Sequence, residues 1–344
     1  MSVPTQPLSD FKSVVYRGTY PDTLCCDSTW RRLPDGSQAV FFLTGGIIEP
    51  SPENYVAVCR STDEGRTWSP PEVVARNPVG AVLLTEVTVI DSLITVYLQF
   101  HQGRFANWRV ATIESTDNAH TWTEPREFTP LPQRAFIRNL YQTSWGEYLL
   151  PYQFYPASAE GTLTDSPLTG HAVSDPQNGV LISQHSSADS DWQSSALLSG
   201  ARGWSEVNVV ELGNEGLAML TRSDGAGVLL RSDSTDRGRT WAPWERTEIP
   251  NPSSKFRLFR LSDQRTLLLH NPTSEIGRRN PLSLWISSND MQSWDEQYLI
   301  SDYPGQLAYP DGSLDSNERQ LCFAFDHNRH EIIYWKLELP PSKS

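Results

Sequence analysis

An eight-residue polar motif that ends in tryptophan recurs along the chain. It reads STDEGRTW from residue 61, STDNAHTW from residue 115 and STDRGRTW from residue 234. A weaker copy, SSNDMQSW, begins at residue 287, and an eroded fifth copy lies at residues 187–192. Successive motif tryptophans are 49 to 70 residues apart. A motif that recurs at this interval indicates a chain built from similar structural units of roughly fifty residues.

Each motif follows a short run of β-branched and apolar residues. The runs are YVAVCRS, RVATIES, VLLRSDS and LSLWISS, and they predict antiparallel strands because turn-forming residues bound them. Within the motif we expect the Asp to accept backbone N–H bonds, the Gly to be left-handed and the Trp to be buried between sheets. The motif is therefore a hairpin turn that builds the fold, and its Asp residues are not catalytic candidates. Units with about four strands each fit the blades of a β-propeller.

Composition favours one domain and excludes some partners. The 344 residues contain no convincing amphipathic helix and no low-complexity linker, which predicts a single domain over residues 1–344. The net charge of −13 argues against a nucleic-acid partner, because a basic surface is the usual requirement there. No apolar stretch is long enough to span a membrane, and the N-terminal segment lacks the apolar core of a signal peptide. We therefore expect a cytoplasmic protein without a membrane partner.

The cysteines do not indicate a metal site. Cys25, Cys26, Cys59 and Cys322 lack metal-ligand spacing, and the adjacent pair is too constrained for a disulfide. We interpret them as reduced thiols, with a nucleophilic Cys26 as an alternative. Neither a metal nor an organic cofactor is predicted.

The repeated motif resembles the Asp-box of sialidases and of the bacterial neuraminidase repeat proteins. RRLPDGSQAVFFLTGG resembles the opening blade of that group, SEVNVVEL a middle blade, and RRNPLSLWISSNDMQSW with AYPDG the last. The resemblance covers most of the chain and implies an all-β fold, a six-bladed β-propeller. Six blades agree with the repeats if the N-terminal segment closes the last blade by pairing with LCFAFDHN or with EIIYWKLEL.

The resemblance also implies a site at the mouth of the central channel. Sialidases use a Tyr nucleophile polarised by a Glu, an Asp acid/base and three Arg that hold the substrate carboxylate. In the matching motifs, Tyr309 of AYPDG is the implied nucleophile and Glu206 of SEVNVVEL its paired carboxylate. Arg222 of AMLTRSD and Arg279 of RRNPLSL, or its neighbour Arg278, are the implied carboxylate ligands. A guanidinium binds a carboxylate bidentately, and a phenol needs a neighbouring base to act as a nucleophile.

Two positions depart from the family pattern. Cys26 of CCDSTW stands where the family has its first Arg, and the acid/base Asp has no clear counterpart. The loop after Gly45 and Gly46 offers other polar residues, namely Glu49, Glu53 and Asn54. These differences predict weak or absent hydrolysis of simple sialosides.

Other segments supply further candidates for substrate binding and proton transfer. Histidine exchanges protons near neutral pH, and Tyr with His can divide the base and acid roles of a lyase. Each candidate has the alternative interpretation of a structural or surface residue. They are His101, Arg104, Arg109, Arg138, Asn139, Tyr152, His171, His327, Arg329 and His330.

The sequence predicts one function and leaves two alternatives open. The first is a sialidase-like exo-glycosidase acting on a terminal anionic sugar. The second is a lyase that cleaves a uronate linkage by elimination, as some Asp-box propellers of the rhamnosyl-glucuronate lyase group do. The third is a propeller that binds glycan or protein without catalysis. The predicted ligand of the enzyme is an acidic oligosaccharide or glycoside.

Overall fold

The structure is a computed structural model that describes residues 8–102, 108–132, 134–156 and 176–341. Every regular element in these ranges is a β-strand, and the strands form six antiparallel sheets. Each sheet contacts the next along the chain, and the last contacts the first. The sheets are thus the blades of a closed six-bladed propeller, and the predicted fold is confirmed. No described residue belongs to a helix that could cross a membrane.

The first three blades follow one another in sequence, each starting at the channel. Blade 1 contains β2 (Cys25–Arg32), β3 (Gln38–Thr44), β4 (Tyr55–Ser61) and β5 (Glu72–Ala75). Blade 2 contains β6 (Ala81–Ile90), β7 (Leu93–His101), β8 (Arg109–Ser115) and β9 (Arg126–Glu127). Blade 3 contains β10 (Ala135–Ile137), β11 (Tyr141–Gln142), β12 (Tyr148–Phe154), β13 (Gln177–Ser183), β14 (Gln193–Ser194) and β15 (Leu198–Ser199).

The remaining blades complete the ring. Blade 4 contains β16 (Val207–Glu211), β17 (Leu217–Thr221), β18 (Val228–Ser234) and β19 (Glu245–Pro250). Blade 5 contains β20 (Arg257–Arg260), β21 (Thr266–His270), β22 (Leu282–Ser287) and β23 (Glu296–Ser301). Blade 6 contains β24 (Leu307–Leu314), β25 (Gln320–His327), β26 (Glu331–Glu338) and, as its outer strand, β1 (Asp10–Arg17).

The N-terminal strand closes the ring. β1 pairs with β26, so the second of the two predicted partners, EIIYWKLEL, is the one used. In blades 1 to 5 the repeated motif connects the third strand to the fourth. Blade 6 takes its fourth strand from the other end of the chain and has no such connection. Five motifs therefore accompany six blades.

The motif forms the hairpin turn that the sequence predicts. In the first copy, Asp63 Oδ1 accepts the Thr67 N–H at 2.9 Å and Oδ2 accepts the Thr67 hydroxyl at 2.6 Å. Gly65 has φ of 80° and donates its N–H to the Ser61 hydroxyl at 2.9 Å. In the weaker copy, Asn289 Oδ1 accepts the Ser293 N–H at the same 2.9 Å. Because Asn keeps this acceptor, the turn survives the loss of the Asp.

The motif tryptophans lie between blades, but they are only half-buried. Trp122 of blade 2 packs edge-on against Phe41 of blade 1 with ring centroids 6.1 Å apart. Trp68 of blade 1 packs on Tyr334 of blade 6 at 5.4 Å. Trp241 likewise joins a cluster with residues of blades 3 and 4. The rings thus lie between blades as predicted, but each is buried only in part.

Buried ion pairs fill the channel beneath the site. Asp311 Oδ1 is 2.9 Å from Arg31 Nη1, and Asp311 Oδ2 is 3.3 Å from Lys255 Nζ. Arg31 also pairs with Glu86, which is 3.5 Å from Arg257 Nη1. These residues come from four inner strands or the turns next to them. Compensated charges of this kind fix the strands around the axis, since removing one partner would leave a buried charge unpaired.

Candidate functional site

A cavity of about 670 Å³ opens at the end of the channel where the inner strands begin. Its polar lining contains four arginines and four acidic residues. They are Arg138, Arg222, Arg279, Arg329, Asp27, Glu49, Glu206 and Asp224. Tyr309 lies in the same cavity. The structure therefore brings together Tyr309, Glu206, Arg222, Arg279 and Arg138 of the predicted site residues, drawn from blades 3 to 6 and their connections.

Arg222 is the common partner of the two predicted catalytic residues. Its Nη1 is 3.0 Å from Glu206 Oε2 and donates to the Tyr309 hydroxyl at 3.4 Å. Its Nη2 donates to Asp224 Oδ1 at 2.9 Å. Burial alone would raise the pKa of Glu206, but Arg222 and Arg138 outweigh it and hold that pKa below its usual value. Glu206 is thus an ionised carboxylate that can accept a proton.

Tyr309 lies between two guanidinium groups. The Arg279 guanidinium lies 4.8 Å from the centre of the Tyr309 ring, and Arg222 contacts the hydroxyl from another side. Burial raises the pKa of the Tyr309 phenol although both arginines act to lower it. The phenol is therefore neutral at rest and needs a base to become a nucleophile.

Two arginines keep hydrogen-bonding capacity for a ligand. Arg138 is 5% exposed, lies 3.7 Å from Glu206, and has no partner for its Nε and Nη1 among the described residues. Arg279 donates from Nη2 to the Ser253 carbonyl at 3.3 Å. Unpaired guanidinium N–H groups in a cavity favour a bound anion, because buried donors without partners are costly.

A guanidinium also lies beside Cys26, where the family has its first Arg. Arg329, on the turn after β25, donates to Cys26 Sγ at 3.1 Å and forms an ion pair with Glu49. The sequence offered Arg329 and Glu49 as candidates, and the structure brings them together here. Glu49 neutralises Arg329, so this guanidinium is less available to a ligand than that of Arg138.

Asp27 lies on a β-bulge and lines the cavity. Cys26 pairs with Leu43 and Thr29 with Phe41, so β2 carries one residue more than β3 over this stretch. Asp27 takes φ of 48°, and its Oδ1 is buried without a hydrogen-bond partner. Burial raises its pKa to about 6, and the nearby Glu49 acts in the same direction. Asp27 could not be predicted from the sequence, because strand alternation gives no sign of a bulge.

An apolar wall lies in the cavity beside these charges. Leu83, Leu84, Phe136 and Trp204 line it. Trp204 packs edge-on against Phe136 at 5.8 Å, and the Arg138 guanidinium lies 5.0 Å from the Phe136 ring centre. A cavity with one apolar and one charged side suits a sugar, which has both apolar faces and polar substituents.

The other predicted residues lie elsewhere. Arg278 is exposed and pairs with Glu275 at 3.0 Å, and Arg109 is exposed over the Phe100 ring. Neither lines the cavity. Tyr152 is buried in blade 3, where its hydroxyl and that of Ser194 lie 2.7 Å apart, so it is structural here. His101 is buried at the end of β7 and does not line the cavity.

The remaining candidates either do not line the cavity or lie outside the described residues. Arg104 and His171 lie outside the described residues. Asn139 donates its N–H to Glu86 Oε2 at 2.6 Å, below the site. His327 lies 3.1 Å from Glu331 in a separate groove between blades 5 and 6, and His330 is exposed. Glu53 is also exposed, and Asn54 holds its own loop by donating to Gly45 and Ile48 carbonyls.

The described residues contain one group of possible metal ligands, but it suits a cation poorly. Cys26, Asp27 and Glu49 place one donor atom each within 4.8 Å of the others. The Arg329 guanidinium already contacts both Cys26 and Glu49. Burial raises the pKa of the Cys26 thiol well above its usual value, so the thiolate that a metal requires is disfavoured.

Comparison with solved structures supports the fold. A Dyadobacter fermentans protein of unknown function is 19% identical with a TM-score of 0.69, covering 96% of this chain and 98% of its own. A Hadza microbial sialidase is 17% identical with a TM-score of 0.74, covering 93% and 66%. A Trypanosoma rangeli sialidase in complex with 2,3-difluorosialic acid is 14% identical with a TM-score of 0.66, covering 95% and 59%. The chain thus spans about two thirds or less of these two sialidases.

Comparison with sequences gives the family. A search of curated protein sequences finds no match to this chain. The BNR repeat-like domain matches residues 39–319, which is most of the chain and includes all five motifs. The chain belongs to the BNR repeat-like domain family and has the six-bladed propeller fold of sialidases.

Proposed function

We propose that the protein is a sialidase-like, carbohydrate-active enzyme that removes a terminal anionic sugar from an oligosaccharide or glycoside. The observation that carries the proposal is the position of the Tyr309 phenol between Arg222 and Arg279. Glu206 forms an ion pair with the same Arg222. These groups supply a nucleophile, a base and cationic contacts for a substrate carboxylate. Their convergence in one cavity distinguishes this chain from a propeller that only repeats the hairpin motif.

The cavity selects an anion by its unpaired guanidinium groups. Arg138 has two nitrogens without partners, and Arg279 has one hydrogen bond to a backbone carbonyl. A sugar carboxylate between Arg138 and Arg279 would accept hydrogen bonds from both guanidinium groups. A neutral sugar would leave the donors unpaired, and an unpaired buried polar group costs about 1–3 kcal/mol.

The first chemical step uses Tyr309 and Glu206, which both contact Arg222 Nη1. The phenol oxygen forms a bond to the anomeric carbon while its proton passes to the Glu206 carboxylate. Glu206 can take it because arginine holds this carboxylate ionised, and because it contacts the same Arg222 Nη1 as the Tyr309 hydroxyl. Since the hydroxyl carries no charge before the step, it approaches the anionic sugar without repulsion. The glycosidic C–O bond breaks, and the leaving oxygen takes a proton from an acid on its own side.

We expect uronate glycosides to be better substrates than simple sialosides. The guanidinium beside Cys26 belongs to Arg329, which Glu49 neutralises. A sialoside carboxylate, for which the family pattern implies three arginines, would therefore be held less tightly here. We expect a uronate carboxylate to need only two arginines.

Rates on defined glycosides test the proposal. Purified protein is assayed with 4-methylumbelliferyl α-sialoside, with 4-methylumbelliferyl β-glucuronide and with rhamnosyl-glucuronate oligosaccharides, in parallel with Tyr309→Phe. Removal of the one hydroxyl should lower kcat by at least about 10²-fold with little change of volume. Arg278→Lys is the matched control, because Arg278 is exposed and outside the cavity.

Product chemistry separates the alternatives. Release of a reducing anionic sugar supports hydrolysis, whereas an unsaturated uronate that absorbs in the ultraviolet would show elimination. Unchanged activity of Tyr309→Phe would contradict the role of Tyr309. Binding of these glycosides without any product would instead support a propeller that only recognises glycans.

A further inference from the structure

Asp27 and Tyr309 occupy equivalent positions in neighbouring blades. In β24, Ala308 pairs with Asp326 and Asp311 with Ala324, so the strand carries one extra residue directly after Ala308. In β2, the extra residue comes directly after Cys26. Tyr309 and Asp27 are the residues that follow these two pairings, at the starts of the inner strands of blades 6 and 1.

Both residues have an unusual backbone conformation. Asp27 has φ of 48° and Tyr309 has φ of 56°. Left-handed backbone in a residue other than Gly is strained and clusters at functional sites, as do β-bulges that redirect a side chain. The bulge in each strand directs one side chain into the cavity. The same kind of β-bulge therefore directs both the proposed nucleophile and a carboxyl group into the cavity.

The Asp27 carboxyl forms no hydrogen bond or ion pair with the residues that the structure describes. Its Oδ1 is buried without a hydrogen bond, and Asp27 forms no ion pair with a described residue. Glu49 has a carboxylate oxygen within 4.8 Å of it and is paired with Arg329. When two carboxyl groups lie this close, the one without a cation keeps its proton. Asp27 is therefore the protonated member of the pair.

We propose that Asp27 is the proton donor to the leaving-group oxygen. The assignment rests on the proposed glycosidase function. As the glycosidic bond breaks and Tyr309 bonds to the anomeric carbon, the Asp27 proton passes to the departing oxygen and leaves an Asp27 carboxylate. In the second half of the reaction, the Asp27 carboxylate takes a proton from water. The water oxygen replaces the Tyr309 oxygen at the anomeric carbon. The released phenolate recovers its proton from Glu206, so the enzyme returns to its first state.

The charged groups around Asp27 support this protonation cycle. Glu49 favours the neutral acid, whereas Arg138, Lys255 and Arg329 favour the carboxylate. Asp326 also lies near, and the Asp27 carboxylate helps to raise the pKa of Asp326. Tyr309 and the buried thiol of Cys26 also face the group. Burial raises the pKa of Asp27 to about 6. A donor with such a pKa holds its proton in mildly acidic solution and releases it readily to an alkoxide.

Leaving-group dependence of the rate tests the assignment. The probes are 3′-sialyllactose with 4-methylumbelliferyl α-sialoside, and a β-glucuronyl disaccharide with 4-methylumbelliferyl β-glucuronide. A sugar leaving group needs a proton, whereas 4-methylumbelliferone departs without one. Asp27→Asn should lose about 10²–10⁴-fold in kcat/KM on the disaccharide of the cleaved pair and less than about tenfold on the aryl glycoside. Asn tolerates the left-handed backbone, so we expect this variant to fold.

Glu49→Gln is the matched control for the second carboxyl group. Measured in solution more acidic than the pKa of Asp27, where Asp27 keeps its proton, this variant should lower both rates by a similar factor, because Glu49 then acts only by pairing with Arg329. A second readout needs no variant. The rate of the parent on the disaccharide should fall above the pKa of Asp27, about 6, and the rate on the aryl glycoside should not.

The outcomes separate this assignment from the proposed function. If the parent cleaves the disaccharide and the aryl glycoside of one sugar, and Asp27→Asn lowers both rates by the same factor, Asp27 is not the donor. The glycosidase function would then stand. A loss in Glu49→Gln that depends on the leaving group would transfer the role to Glu49. If the parent cleaves neither pair, the proposed function fails and the assignment fails with it.

Discussion

At the scale of single residues, the site consists of groups whose charge depends on burial. Glu206 and Asp27 are carboxyl groups in one cavity with opposite pKa shifts. Glu206 is held ionised by arginine. Asp27 is protonated more readily because burial disfavours its carboxylate and because Glu49 lies close to it. This contrast divides the roles of base and acid between two residues of similar chemistry.

A pH dependence of stability follows from Asp326, which is fully buried beside this cavity. Burial raises its pKa from 3.8 to about 7, although Arg329 and Arg279 act to lower it. Between these values the folded protein holds a proton that the unfolded chain has released. The free energy of unfolding should therefore fall as pH rises through this window, by at most roughly 4 kcal/mol for this group. Asp326→Asn should remove most of that fall.

Denaturant unfolding at pH 4.5 and pH 8 measures this effect. The control is Asp91→Asn, since Asp91 is exposed at the turn between β6 and β7. Parallel stability curves for the parent and Asp326→Asn would contradict the raised pKa.

Which residues meet in the cavity was only partly predictable from the sequence. Tyr309, Glu206, Arg222 and Arg279 could be named because they lie in segments that resemble a family. Asp27 could not, because its orientation depends on one extra residue in β2. Arg329 was only one of several candidates, since its contact with Cys26 spans almost the whole chain. Tyr152 and His101 were candidates for substrate binding or proton transfer, but both are buried away from the cavity.

At the scale of elements, each motif hairpin is fixed to the blade before it. Trp122 contacts Phe41 of blade 1, Trp68 contacts Tyr334 of blade 6, and Trp241 packs in a cluster with blade 3. The sequence could predict this role from the repeat itself. It could not predict the partial exposure of the rings, because that depends on how far each hairpin projects beyond the neighbouring sheet.

Truncation of Trp241 measures the strength of one blade contact. A fully buried aromatic costs about 3–5 kcal/mol when replaced by Ala, and a half-buried one should cost less, about 2–3 kcal/mol. We expect Trp241→Ala to lower the free energy of unfolding by this amount in a denaturant titration. Tyr20→Ala is the control, because Tyr20 is 88% exposed. A loss no larger than that of the control would show that the motif ring does not join the blades.

At the scale of the whole molecule, ring closure creates the site. Asp27 belongs to blade 1 and Tyr309 to blade 6, and these blades become neighbours only when the N-terminal and C-terminal parts of the chain meet. β1 secures this meeting by pairing with β26, and Trp68 Nε1 donates to the Ser13 hydroxyl of β1 at 2.9 Å. The proposed nucleophile and proton donor therefore stand together only in the closed propeller.

The central claim is that Tyr309 attacks the anomeric carbon of an anionic sugar. Trapping of the covalent intermediate tests it most directly. The protein is incubated with 2,3-difluorosialic acid and, separately, with 2-deoxy-2-fluoro-glucuronyl fluoride, whose fluorine slows breakdown of a glycosyl-enzyme. Intact-mass spectrometry and peptide mapping should then show one sugar on Tyr309 for at least one probe and none on Tyr309→Phe. A sugar attached to a different residue such as Cys26, or no adduct from a probe whose parent glycoside is turned over, would contradict the account.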